Sequence, residues 1–139
     1  MRAAGRTPHR HEHRWLPRVA GYHLGVRELL YNAAKHFRRG KALAERGDVR
    51  AAMLAYQDAL SDLHAVKPQR MRDVLLAQVY LSRYQIGYAL ERSRADSDLR
   101  VGYSYARTTH EPSVRQWAET LWRDRLAGAP STRQGSDAR

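Results

Sequence analysis

Apolar and small residues recur at steps of three and four along most of this chain, from about residue 24 to about residue 127. Residues three and four apart lie on one face of an α-helix, whereas a half-buried strand alternates apolar and polar residues. No segment of the sequence shows the alternation expected of a strand. The spacing therefore predicts an all-α protein.

Helix-ending and helix-starting residues divide this region into about five helices. Gly47 tolerates the left-handed turn that follows a last helical residue, and Pro68 ends a helix because proline lacks a backbone N–H. Asp48, Asp96 and Thr109 stand where a side-chain oxygen would accept the free N–H groups of a following first turn. The expected helices cover residues 24–46, 48–66, 69–93, 96–107 and 109–126. Because the connections are short, stacked antiparallel helical hairpins are the expected architecture.

A string of small and aromatic residues spans the first expected hairpin. Its members are Gly40, Gly47, Ala52, Tyr56 and Ala59. Small residues at positions 40 and 52 let two helix backbones approach closely, and the aromatic ring at position 56 fills the space between hairpins. The string resembles the signature of the tetratricopeptide repeat, which places small residues and an aromatic residue at this spacing.

A weaker copy of the string lies 47 residues further along the chain. Gly87 matches Gly40 and Tyr103 matches Tyr56, but Arg94 occupies the place of the turn glycine. The period also exceeds the roughly 34 residues of the tetratricopeptide repeat. The sequence therefore predicts one good repeat, one degenerate repeat and a closing fifth helix.

The resemblance implies a non-catalytic adaptor or scaffold that binds a protein or peptide and needs no cofactor. Stacks of this kind expose a groove lined by the first helix of each hairpin. By hairpin register, the expected partner-binding residues are Phe37, Lys41, Tyr84, Tyr88 and Glu91. Aromatic residues take several places of the Lys/Asn/Arg set with which some family members grip a terminal carboxylate, so that activity is not expected. The alternative is that Tyr80, Tyr84 and Tyr88, at steps of four, form a core stripe.

The balance of charge supports a second hypothesis, a small basic protein associated with nucleic acid. The 139 residues carry 25 Lys+Arg and 14 Asp+Glu, a net charge of +11. Clustered cations of this kind contact phosphates. The expected contacts are Arg10, Arg14, Lys35, Arg38, Arg39 and Lys41. Because only three of the 25 basic residues are lysines, a compositional bias toward arginine accounts for the same excess.

Composition also predicts the ends of the chain. Residues 1–22 mix glycine, proline and arginine without periodicity, which predicts a basic, flexible arm. Residues 128–139 have the composition of a disordered tail, and residues 23–127 form the expected helical domain. In the last helix, Trp117 and Trp122 suggest a third hypothesis, in which this apolar face is an interface within a larger complex or oligomer.

The chemical motifs of common enzymes are missing from the sequence. It has no cysteine, no glycine-rich phosphate loop, no H-E-x-x-H and no G-x-S-x-G, so an enzyme is not expected. His9, His11 and His13 alternate within the arm and are interpreted as solvated side chains rather than a metal site. No apolar run reaches the roughly 18 residues that span a bilayer, so no membrane association is expected and the predicted location is the cytoplasm.

Overall fold

Residues 25–128 of the chain are described by a computed structural model. This part of the chain consists of helices joined by short connections. Its elements are α1 (Val26–Glu45), α2 (Val49–His64), α3 (Arg70–Gly87), α4 (Arg92–Thr108) and α5 (Pro112–Leu126). The predictions of an all-α fold and of about five helices are therefore confirmed. The expected arm (1–22) and all but the first residue of the expected tail (128–139) lie outside the described residues.

The helices pack as two hairpins and a closing helix. The most extensive contacts join α1 to α2 and α3 to α4, as expected for antiparallel neighbours linked by short turns. The two hairpins meet mainly where α2 packs on α3, with a smaller contact between α1 and α3. The fifth helix packs against α4 and α3. This arrangement agrees with the predicted stack of helical hairpins.

The first hairpin closes as its small residues predict. Gly47 has a φ of 84°, the left-handed conformation that glycine adopts without a steric penalty. Gly40 faces Tyr56 so closely that a β-carbon at position 40 would lie 2.5 Å from a ring carbon. Asp48 holds the N-cap position of α2 as expected, but its side chain accepts no hydrogen bond from the first turn of that helix. That turn instead begins with the backbone bond from Ala52 N–H to the Asp48 carbonyl.

The second hairpin turns earlier than the sequence suggested. The third helix ends at Gly87, six residues before the expected end, and the chain turns back so that Ala95 and Leu99 are buried against it. Consequently Asp96 lies inside α4 instead of capping it. Pro112 lies in the first turn of the last helix as expected, but that helix begins only at Pro112, with Glu111 rather than Thr109 at the cap position.

Buried side chains form two clusters that share the third helix. Leu76 and Val79 of α3 belong to a cluster with residues of α1 and α2, among them Tyr56. Leu81 and Tyr84 of α3 belong to a second cluster with α4 and α5. The third helix is therefore buried on two sides and is the central element of the stack. Each large apolar side chain that is fully buried there contributes about 1.5–3 kcal/mol to folding.

Candidate functional site

The tyrosines expected to face a partner lie in the second core cluster. Tyr84 is 1% exposed, and its ring centre is 5.8 Å from that of Tyr88 in an edge-on arrangement. The fifth helix covers this face, since the guanidinium of Arg125 lies 5.8 Å from the Tyr88 ring centre. Burial raises the pKa of the Tyr84 hydroxyl. Tyr84 as a partner contact is therefore wrong, and the core stripe weighed as its alternative describes it correctly.

Phe37 and Lys41 are separated from these tyrosines. Phe37 packs in the first cluster with its ring centre 5.9 Å from that of Tyr56, and Lys41 lies 5.5 Å over the Phe37 ring. The single aromatic face that was expected across α1 and α3 does not form, because its two halves belong to different clusters. Of the expected partner-binding residues, Glu91 is exposed and lines an open surface feature.

The two tryptophans of α5 also pack inward. Trp122 stacks on Tyr103 of α4 with ring centres 4.8 Å apart, and Trp117 packs against the same cluster. Both are partly buried rather than exposed. They hold α5 on the second hairpin, which accounts for them without a partner. Tyr103 therefore does not repeat the contacts of Tyr56, which it matches in the sequence.

An open apolar recess lies beside the start of α2 and the turn between α3 and α4. Its volume is about 500 Å³. We call it the α2/α4 recess, and its lining includes Arg50, Met53, Leu54, Leu90, Glu91 and Arg94. Leu54 is 69% exposed and Leu90 is 53% exposed. Two exposed leucines at one concave surface make the recess a candidate binding site for apolar side chains.

Small residues form the floor of the recess. Gly87 of α3 and Ala95 of α4 are buried and line it, and neither carries a side chain that would extend into the space. A β-carbon at Gly87 would meet only the terminal methyl of Met53, at 3.4 Å. The thioether of methionine is flexible and adapts to ligands of different shape. The recess is therefore preformed at its floor and adaptable at Met53.

A buried ion pair fixes the position of α4 at this recess. Both oxygens of Asp98, which is 2% exposed, accept hydrogen bonds from Arg83 at 2.8 and 2.9 Å. Arg83 also donates to Gln57 of α2 at 2.9 Å, so one guanidinium joins three helices. Bidentate pairs of this kind are strong and geometrically specific. The Arg83 guanidinium therefore neutralises the negative charge of Asp98 in the unliganded recess.

The rim of the recess carries exposed cations. Arg50 forms no ion pair with any residue of the described range, 25–128. Arg94 lies 3.8 Å from a Glu91 oxygen, and both side chains are more than half exposed, so water screens this contact. The first turns of α2 and α4 also lack side-chain caps, and their free N–H groups add partial positive charge.

The basic cluster of α1 is exposed, as the second hypothesis requires. Lys35, Arg38 and Arg39 are solvent-exposed and form no ion pair with residues 25–128. Lys35 lies 5.9 Å over the ring of Tyr31, which is itself 61% exposed. The arm residues Arg10 and Arg14, with the alternating histidines, lie outside the described residues.

Two histidines of the first hairpin make side-chain contacts, one within the hairpin and one to α3. His36 of α1 lies 3.6 Å from Asp62 of α2, and burial raises the pKa of that carboxyl group. His64 and the Tyr80 hydroxyl are hydrogen-bonded at 3.0 Å. Burial, and to a smaller extent the charge of Arg72, lowers the pKa of His64.

Within residues 25–128 no three His, Asp or Glu side chains converge on a metal position. In the same range no helix is both long and apolar enough to cross a bilayer.

Comparison of the chain with known proteins identifies no relative. No protein-family model matches the chain, and neither the curated proteins nor the solved structures give a significant match. The resemblance to the tetratricopeptide repeat therefore rests on the residues of the first hairpin and stays a prediction.

One feature of the sequence points to the recess, although it belongs to no motif. Leu54 falls off the apolar face of α2, which carries Ala52, Ala55, Tyr56 and Ala59. A leucine on the polar side of an amphipathic helix has no core to enter. No sequence pattern indicated that Leu54 and the turn after α3 would border one recess.

Proposed function

We propose that this chain is a non-catalytic helical adaptor that binds a peptide segment of a partner protein in the α2/α4 recess. The observation that supports the proposal is the pair of exposed leucines, Leu54 and Leu90, at a recess with a small-residue floor. Burying an exposed leucine against a ligand contributes about 1.5–3 kcal/mol. Two such contacts around an adaptable methionine fit a short segment with large apolar side chains.

The experiment is a selection of binding peptides from a random library displayed on phage, with the purified chain as bait. Selected peptides are then measured against Leu54→Asp by fluorescence anisotropy. Because each 1.4 kcal/mol is a factor of ten in affinity, we expect Leu54→Asp to weaken binding about tenfold or more. Leu54 is 69% exposed, so the substitution should leave the fold intact by circular dichroism.

A matched control separates the recess from general surface hydrophobicity. Leu126, at the end of α5, is 72% exposed and lies outside the recess. Leu126→Asp should bind the selected peptides as the unmodified chain does. Peptides that bind Leu54→Asp and the unmodified chain equally would refute the proposal, as would a library from which nothing is enriched.

Nucleic-acid binding through α1 is a second candidate, favoured by the exposed cations Lys35, Arg38 and Arg39 beside the exposed ring of Tyr31. Cations contact phosphates, and an exposed aromatic ring stacks on unpaired bases. The replacement of all three cations by glutamine should abolish a mobility shift of single-stranded RNA. Three phosphate contacts predict a slope of about −2 in log affinity against log salt. An unchanged shift in the triple variant would remove this candidate.

A further inference from the structure

The chemistry of the rim narrows the class of partner. We infer that the α2/α4 recess binds an acidic segment, in which a large apolar side chain is flanked by aspartate or glutamate. This inference rests on the proposed function, because it describes the ligand of the same recess. It adds the sign of the ligand's charge, which the leucines alone do not determine.

The charges around the apolar floor are not balanced. The recess and its immediate support hold three arginines, Arg50, Arg83 and Arg94, and two carboxylates, Asp98 and Glu91. Asp98 is fully used by Arg83, through two hydrogen bonds in a buried position. The charges left for a ligand are therefore two exposed guanidiniums and one exposed carboxylate.

The two exposed guanidiniums lie at the starts of the helices that border the recess. Arg50 belongs to the first turn of α2 and Arg94 to the first turn of α4, so both guanidiniums rise from the positive ends of helices. Leu54 is one turn beyond Arg50 on the same helix, and residues four apart share a face. A ligand side chain that covers Leu54 therefore lies beside the Arg50 guanidinium. A carboxylate on the neighbouring residue of the ligand can then reach Arg50.

The charge of the leading arm and the composition of the tail argue against an occupant from the chain itself. The apolar pair of the leading arm, Trp15 and Leu16, is flanked by Arg14 and Arg18, and residues 1–18 contain five arginines against Glu12. A segment of that charge meets Arg50 and Arg94 with the wrong sign. Residues 128–139 contain no large apolar side chain to cover the leucines. The charge of the rim therefore favours a separate acidic partner.

The test uses the composition of the selected peptides and three variants of the full chain. Peptides enriched on the unmodified chain should carry aspartate or glutamate next to leucine, isoleucine, phenylalanine or methionine. Arg50→Glu combined with Arg94→Glu should weaken their binding about tenfold or more, because two attractive contacts become repulsive. Glu91→Gln should strengthen binding about twofold to fivefold, because it removes the one exposed carboxylate of the rim.

A control variant with the same change in net charge is available on α5. Arg115 and Arg123 are exposed and lie outside the recess, so Arg115→Glu with Arg123→Glu should leave peptide affinity within about twofold. Affinity should also fall as the salt concentration rises from about 50 to about 300 mM, with a smaller fall in the Arg50/Arg94 variant.

The outcomes separate this inference from the proposed function. Peptides that are apolar but neutral or basic, and that still lose affinity in Leu54→Asp, would overturn the inference and leave the recess as a peptide site. Equal losses in the rim variant and the α5 control would overturn the inference as well, because bulk charge would then explain them. Peptides insensitive to Leu54→Asp would overturn both.

Discussion

The tight contact at Gly40 gives a quantitative test of the fold. A β-carbon at this position would lie 2.5 and 2.6 Å from two ring carbons of Tyr56, against the 3.5–4.0 Å at which carbon atoms normally pack. The ring must therefore move by about 1 Å. Tyr56 is 2% exposed, and the Phe37 ring lies against it at a centre-to-centre distance of 5.9 Å. The Tyr56 ring therefore has little room to move.

The expected cost of Gly40→Ala follows from two opposing effects. Overpacking a buried site costs about 1–3 kcal/mol, and the overlap with a confined aromatic ring places this site at the upper end of that range. Alanine returns about 1 kcal/mol through its higher helix propensity. The net prediction is a loss of about 2 kcal/mol in the free energy of unfolding, measured by urea denaturation followed by circular dichroism.

Gly87→Ala is the matched control for Gly40→Ala. Its β-carbon would meet only the flexible end of Met53, at 3.4 Å, so stability should be unchanged or raised by up to about 1 kcal/mol. Combining Gly40→Ala with Tyr56→Leu should cost less than the sum of the two single losses, because the smaller side chain relieves the overlap. A Gly40→Ala variant as stable as the unmodified chain would refute the reasoning.

Two further predictions concern buried and titratable groups. Asp98→Ala leaves the guanidinium of Arg83 without its carboxylate and should lower the free energy of unfolding by roughly 3–5 kcal/mol. Asp96→Ala removes a more exposed pair with Arg125 and should lower it by about 1 kcal/mol or less. Equal losses for the two variants in urea denaturation would contradict this prediction. The pKa of His64 is lowered on folding, so the unfolded chain binds this proton more readily, and stability is lost as the pH falls below 6.5. His64→Gln should show a shallower decline in unfolding free energy between about pH 8 and about pH 5, and an unchanged decline would exclude His64 as its source.

The sequence predicted the helices well and the surfaces poorly, for a physical reason. Periodicity and local breakers determine a helix, so Gly47 and Pro112 stand where expected. Which apolar face is covered depends on how the helices pack, and the register of α3 alone did not reveal that α5 covers Tyr84 and Tyr88. The spacing therefore predicted a binding groove at Tyr84 and Tyr88, where the packed structure has part of its core.

The candidate site was missed because it is built from residues distant in the sequence. Leu54 belongs to the first hairpin and Leu90 to the turn of the second, and only the packing of α2 on α3 brings them to one recess. Glu91 was the one expected contact that the recess includes. An exposed leucine such as Leu54 is a useful indicator, but its neighbours follow from tertiary structure.

The position of α3 between two clusters has a consequence for how the chain unfolds. In an extended array of repeats each hairpin contacts only its neighbours, so terminal units fray and stability grows with the number of units. Here one helix supplies Leu76 and Val79 to the first cluster and Leu81 and Tyr84 to the second. Neither hairpin can open without exposing one side of α3. The two hairpins should therefore melt together in a single cooperative transition, and loss of either one should expose the remaining half to proteolysis.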